Sequence, residues 1–175
     1  MNVVDIMHWA RQHGDPIPDI CHRLSYRCSA YLVDGTYLPC VQLREAGSQT
    51  DLAVKRLQEV QNDRRIIASF VNEGNRVNAH EIGRLERSPY SIPLERLKEV
   101  RGETSMSWTA FAAVMDDGRE FSFGTSYSME FFEMPQGYDG RRIQKIVPHR
   151  NQEQPVYREK PFFVCFLENV QLGAA

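Results

Sequence analysis

Apolar and polar side chains alternate on both sides of two Asp-Gly dipeptides, Asp34-Gly35 and Asp117-Gly118. Alternation with a period of two is typical of β-strands that bury one face. Asp-Gly is favoured in two-residue hairpin turns because both turn positions need a positive φ. The sequence therefore predicts two hairpins: one with strands near 23–33 and 36–44, and one over 106–127.

A two-residue turn also fixes which side chains lie opposite one another. In the second hairpin it predicts Val114 opposite Phe121, Ala112 opposite Phe123 and Phe111 opposite Gly124. In the first hairpin it predicts Leu32 opposite Tyr37, Ala30 opposite Pro39 and Cys28 opposite Val41.

Other elements follow from helical spacing, from short apolar runs and from the positions of proline and glycine. The predicted helices are 2–13, 50–62 and 93–101, and the further predicted strands are 66–71, 76–87, 143–147 and 162–167. The last of these is apolar on both faces, which favours a central strand. The pattern of 129–134 fits either a strand or a helical turn. Together these elements predict one globular α+β domain over 1–175, a largely antiparallel β-sheet built from hairpins with about three short α-helices packed on it.

Composition narrows the function classes. The 175 residues are 42% hydrophobic and 25% charged, with a formal net charge of −2. This balance gives no overall attraction to nucleic acid or to acidic membranes. Apolar runs stay well below the roughly 20 residues of a membrane helix. The N-terminal segment carries Asp5, His8 and Arg11, unlike a signal peptide. We therefore expect a cytoplasmic protein without a membrane segment.

Cysteine and histidine suggest little chemistry. In the cytoplasm the four cysteines, Cys21, Cys28, Cys40 and Cys165, are expected to be free thiols. They lack the Cys-x2-Cys spacing of zinc sites, and the glycine-rich phosphate-binding motifs are absent. We expect no metal and no cofactor. Cys40 is the thiol to test as a nucleophile, because it is predicted near an edge and a turn; His22, His80 and His149 are available as bases.

Charge is distributed unevenly in the second half of the chain. Six acids and one base lie between 105 and 140, whereas six bases and two acids lie between 141 and 160. Such neighbours either neutralise one another within the fold or form two separate binding surfaces.

The segment 129–134 holds two methionines and two phenylalanines just before this change of sign. These residue types are enriched at partner surfaces and are also common in cores. A partner surface would combine this segment with the basic stretch that follows. Its predicted residues are Met129, Phe131, Phe132, Met134, Tyr138, Arg141, Arg142, Lys145, His149 and Arg150.

The sequence favours a non-catalytic protein-interaction or regulatory module that binds a protein partner. Two alternatives stay open: a small enzyme with a Cys/His site near the first hairpin, and a small-ligand-binding domain. Nucleic acid is disfavoured by the overall acidity. A homodimer is a further alternative, because a second copy could cover an edge strand near Pro39.

Overall fold

The structure is a computed structural model that describes residues 1–18, 24–45, 75–104, 108–126, 128–149 and 157–167. The predicted helix 50–62 and strand 66–71 lie outside these residues. The helices are α1 (Val3–His13) and α2 (Leu94–Leu97). The strands are β1 (Asp15–Pro18), β2 (Leu24–Leu32), β3 (Tyr37–Glu45), β4 (Ile82–Glu86), β5 (Thr109–Met115), β6 (Glu120–Thr125), β7 (Ile143–Pro148), β8 (Tyr157–Arg158) and β9 (Phe163–Leu167).

The first sheet has the order β1-β2-β3-β9, and β4 also pairs with β2. β1 pairs with the N-terminal half of β2, and β4 pairs with its C-terminal half. Helix α1 begins after Asn2, whose side chain accepts a hydrogen bond from the Asp5 N–H. Alternate residues of the strands point to one face of this sheet, where their apolar side chains form a core. The apolar side of the helix packs on that face. The core there includes Ile6, Ala10, Cys28, Ala30, Val41, Leu43, Ile82 and Cys165.

The second sheet has the order β7-β5-β6-β8 and packs around aromatic rings. Phe111 and Phe123 lie directly opposite each other and stack, with 5.5 Å between ring centroids. The Phe132 ring meets both edge-on, at 5.4 and 5.9 Å, a geometry that aromatic quadrupoles favour.

Both predicted hairpins are present, but the register next to each turn is wrong by one residue. Met115 closes the second loop with two backbone hydrogen bonds: its N–H donates to the Arg119 carbonyl, and its carbonyl accepts from the Gly118 N–H. Leu32 does the same with Thr36 and Gly35. Each loop therefore has three residues rather than two, and only its glycine takes a positive φ. This is the three-residue hairpin loop that ends in a left-handed residue.

The first hairpin corrects its own register further along. Ala30 pairs with Leu38, but beyond an irregularity Cys28 pairs with Val41, as predicted. Two β3 residues, Pro39 and Cys40, therefore occupy the space opposite one β2 residue, which is a β-bulge. The second hairpin keeps its shifted register, so Phe111 lies opposite Phe123 rather than Gly124.

The α+β class is confirmed, whereas a largely antiparallel sheet is only partly right. Among the described strands five pairings are antiparallel, but β9 joins β3 and β8 joins β6 in parallel. Among the described strands, β9 stands last in the order of its sheet, and Arg76 forms an isolated parallel bridge with its other side. The predicted helix over 93–101 is limited to α2, and the described residues contain two α-helices; the third predicted helix, 50–62, lies outside them. β3 has a neighbour on each side from Val41 onward and is no edge strand there.

Candidate functional site

A buried arginine of β2 links the first sheet to the segments that carry Ile92 and Glu130. The Arg27 side chain is fully buried, and its guanidinium donates to the carbonyl oxygens of Ile92 at 2.7 Å and Glu130 at 3.1 Å. Longer contacts of 3.5 Å reach the carbonyls of Asp15 and Pro16. Burial lowers the Arg27 pKa to about 10, so the side chain stays charged at neutral pH. These acceptors leave it little capacity for a ligand, and we assign it a structural role.

Around Arg27 the same face of the first sheet carries further polar side chains. Gln42 donates to the Ser25 hydroxyl at 2.8 Å, and Ser25 donates to the Ile17 carbonyl at 3.1 Å. Arg44 donates to Gln42 and lies 3.9 Å from the Glu130 carboxylate. In the part of the chain that the structure describes, every buried side-chain nitrogen or oxygen has a hydrogen-bond partner. This polar layer is satisfied internally and adds hydrogen bonds between neighbouring strands of the first sheet.

The apolar residues predicted for a partner surface lie in and around the core. Phe131 and Phe132 are fully buried. Met129 and Met134 are half-buried and pack against the aromatic core of the second sheet, as does Tyr138. Of the two interpretations that the sequence leaves open for 129–134, this placement supports the core.

The basic residues after this segment are drawn mainly into ion pairs. Arg142 forms a two-pronged pair with Asp116, at 2.7 to 3.0 Å, and lies 4.3 Å above the Tyr138 ring. Arg141 lies 3.3 Å from the Asp139 carboxylate. Lys145 is exposed and His149 is half-buried. Arg150 lies outside the described residues, and a role of this stretch in partner binding stays a prediction.

The acidic and basic stretches therefore neutralise one another at several points. Besides the Asp116–Arg142 pair, Lys160 bonds to Glu133 across 27 residues of sequence, and Lys160 also lies over the Tyr90 ring. Exposed ion pairs of this kind stabilise a fold only slightly. They also neutralise charges that would otherwise be available to a binding partner.

The cysteines that the structure describes, Cys28, Cys40 and Cys165, are free and buried. Burial raises the pKa of Cys40 and of Cys165 to about 12, and raises that of Cys28 well above its usual value. A thiol with such a pKa is protonated at neutral pH and is a poor nucleophile. The side chains that act on the Cys40 pKa belong to Ser88, Lys160 and Glu133, and none is a histidine.

No three metal-ligating side chains converge within the described ranges. His80 is exposed on the 3-10 turn Ala79–Glu81, and His22 lies outside the described residues. The geometry thus offers no support for the Cys/His enzyme alternative at Cys40.

Large apolar side chains reach the surface together at the tip of the first hairpin. Val33 is 71% exposed and Tyr37 is 43% exposed. Tyr31 lies directly opposite Tyr37, with 4.7 Å between ring centroids. Arg84 of β4 lies over the Tyr31 ring at 4.2 Å and pairs with Glu86 at 2.9 Å. We call Tyr31, Val33, Tyr37 and Arg84 the tip patch.

Backbone and hydroxyl contacts hold the tip patch in place. The Val33 N–H donates to the Glu81 carbonyl at 2.8 Å, which fixes the loop next to the first residue of β4. The Tyr37 hydroxyl lies 3.2 Å from the Ser29 hydroxyl, which itself donates to the Pro39 carbonyl at 2.8 Å. The rings are therefore ordered before any partner arrives, which lowers the entropic cost of binding.

Sequence reasoning missed this patch because of the one-residue error in register. With Leu32 opposite Tyr37, the two tyrosines do not face each other, and nothing local brings Arg84 to them. A three-residue loop at Val33-Asp34-Gly35 would have paired Tyr31 with Tyr37. In that register the sequence places a valine of the loop next to two tyrosines that face each other, and this was the signal that could have indicated the patch.

Comparison of the chain with protein-family models, with curated proteins and with solved structures gave no match. Among the helices of the described residues, none is long and apolar enough to cross a membrane. The observations that bear on function are therefore the side chains of this chain itself.

Proposed function

We propose that this protein is a non-catalytic interaction module that binds a protein partner through the tip patch. The observation that carries the proposal is the exposure of Val33 and Tyr37 beside the Tyr31–Arg84 stack. Tyrosine and arginine are enriched where protein interfaces gain most of their binding energy.

The chemistry of the tip patch indicates the kind of partner. Tyrosine rings and the valine side chain offer apolar contact, while Glu86 already pairs with Arg84 and reduces its attraction for a strongly acidic surface. A protein surface with a small apolar centre and a polar rim fits this arrangement better than a polyanion does. Nucleic acid therefore remains disfavoured.

The described thiols also favour binding over catalysis by a cysteine. The three described thiols are buried with raised pKa values, which weakens a Cys-based enzyme near the first hairpin. Free thiols are also what a reducing compartment maintains, so the proposal includes a cytoplasmic location.

The proposal is tested by comparing variants for the proteins that they retain from extracts of the source cells. Val33→Asp and Tyr37→Ser remove apolar contact at the tip patch. Val4→Asp is the matched control, because Val4 is 57% exposed on α1 and lies outside the patch. Thermal unfolding checks that each variant is folded.

We expect at least one protein to be retained by the unmodified chain and by Val4→Asp, and to be reduced at least about tenfold with both tip variants, as the loss of an interface anchor predicts. Retention that is equal in all variants, loss that is equal in all three, or no retained protein at all would contradict the proposal. A retained second copy of this chain would identify the partner as itself.

A further inference from the structure

A cavity of about 340 Å³ lies between the start of α1, the segment 75–80 and β9. This volume is at the small end of the usual range for ligand sites, about 300–1,000 Å³. Its polar side chains are Arg76, Asn78 and His80, and apolar side chains of Val3, Val164 and Phe166 line the rest. Polar and apolar groups share the lining about equally, which suits a ligand with a charged end and an apolar body.

Backbone pairing places Arg76 at this cavity. Arg76 forms a parallel bridge with Val164, and the Val77 N–H donates to the Val164 carbonyl at 3.1 Å. The Val164 N–H in turn donates to the Asn75 carbonyl at 2.8 Å. The segment 75–77 is thus held against the outer edge of β9, and the position of Arg76 is set by strand geometry.

The Arg76 guanidinium lies over the Phe166 ring, 5.2 Å from its centroid. Within the described residues it forms no ion pair with a carboxylate. Among the described acids the nearest along the chain is Glu81, and it is engaged elsewhere: its carboxylate accepts from the N–H and from the side-chain amide of Asn78, both at 3.0 Å. Arg76 is therefore a cation in a concave site without a described counter-charge.

We propose that this cavity binds a small carboxylate with a hydrocarbon body. Arg76 offers the planar pair of donors that matches a carboxylate, and His80 offers a second donor from the turn above. The hydrocarbon part packs against Val3, Val164 and Phe166, where burial of apolar surface supplies affinity. This site is separate from the tip patch, and either proposal can fail without the other.

The test is an amide NMR titration with octanoate as the probe. Two matched compounds separate the contributions: octanol has the same chain without the charge, and acetate has the charge without the chain. We expect octanoate to shift the amide signals of 76–80 and 164–166, and to bind at least about tenfold more tightly than octanol or acetate.

Variants then assign the carboxylate contact. Arg76→Gln should weaken octanoate binding at least about tenfold, whereas Arg76→Lys should keep part of it. Arg11→Gln removes the same charge from an exposed position on α1 and should leave binding unchanged. Unfolding curves for all three variants show whether any loss reflects misfolding.

Three outcomes would overturn the proposal. Octanol could bind as tightly as octanoate, Arg76→Gln could bind as well as the unmodified chain, or octanoate could shift no signal of these segments up to about 10 mM. Shifts confined to the tip patch would count against the cavity as well.

Discussion

The two hairpins turn through the same loop, yet their tips are secured in different ways. In each loop the glycine takes a positive φ, 88° at Gly35 and 83° at Gly118. In each, the aspartate before it accepts from the N–H two residues on, at 2.9 Å from Thr36 and 3.1 Å from Arg119.

The side chains around the second tip are tied to the rest of the fold. Arg142 pairs with Asp116, and the Tyr138 hydroxyl donates to Asp117. Each tip also has a backbone bond from its first loop residue, from Val33 to Glu81 and from Asp116 to Arg142, but the rings of the first tip stay at the surface.

The sequence of the loop therefore decides its backbone geometry, whereas the side chains packed around the loop decide what the tip can bind. At the second tip the charged side chains form ion pairs with other residues of this chain. Phe121 packs against Tyr138 beside them. The first tip presents two tyrosines, a valine and an arginine in fixed positions. The first hairpin is therefore our candidate for partner binding, and the second is structural.

The largest expected effect comes from breaking the link between the sheet of the first hairpin and the segments that carry Ile92 and Glu130. Arg27→Met should lower the free energy of unfolding by at least about 3 kcal/mol, because it leaves the buried carbonyls of Ile92 and Glu130 without their donor. Urea unfolding measures this. Arg11→Gln, at an exposed position, is the control and should change stability by less than about 0.5 kcal/mol. A small effect at Arg27 would contradict its role as the link.

The next effect tests whether the loops are equivalent. Gly35→Val and Gly118→Val should each destabilise by about 2 kcal/mol, because a β-branched residue is strained at positive φ. At neither glycine would an added Cβ meet an atom within 4 Å, so backbone strain alone sets the cost. Two similar losses in urea unfolding support the shared loop. A neutral result at one glycine would show that the loops differ.

Sequence patterns located both hairpins but could not determine their loop length. Asp-Gly suits a two-residue turn and also the end of a three-residue loop, since both need a positive φ at glycine. The choice is made by tertiary packing. The longer loop places Phe111 opposite Phe123, where both rings pack around Phe132 in the core. A one-residue shift in register reverses the side-chain faces, so this small error hid the Tyr31–Tyr37 pair.

Contacts between distant parts of the chain were beyond local patterns. The parallel pairing of β9 with β3 joins residues more than a hundred positions apart, and no turn signal announces it. Arg84 reaches Tyr31 only because β4 pairs with β2. By contrast, the apolar residues Val77, Ile82 and Leu85 of the predicted strand 76–87 are buried, although only Ile82–Glu86 forms a strand.

The smallest expected effect concerns acid stability at the two tips. Hydrogen bonding from Arg142 lowers the pKa of Asp116, hydrogen bonding from Tyr138 lowers that of Asp117, and the Thr36 N–H lowers that of Asp34. A carboxyl whose pKa is lowered by folding stabilises the fold above its unfolded pKa of about 3.9. That stability is lost as the pH falls through the lower pKa of the folded state.

Substitution by asparagine separates these contributions. Asp116→Asn should reduce the difference in stability between pH 7 and about pH 2.5. Asp34→Asn should reduce it less, because no cationic side chain is among the causes of the Asp34 shift. Urea unfolding at both pH values measures the difference. A larger change at Asp34 would reverse the contrast between the tips.

Photo-cross-linking from each tip tests most directly the claim that the first hairpin, and not the second, meets a partner. The photoreactive residue is introduced as Tyr37→p-benzoylphenylalanine and, in a matched protein, as Arg119→p-benzoylphenylalanine; both positions are exposed beside their loops. We predict a cross-linked partner from position 37 that is absent, or at least about tenfold weaker, from position 119. Equal yields from both tips, or a stronger product from position 119, would contradict the assignment of partner binding to the first hairpin.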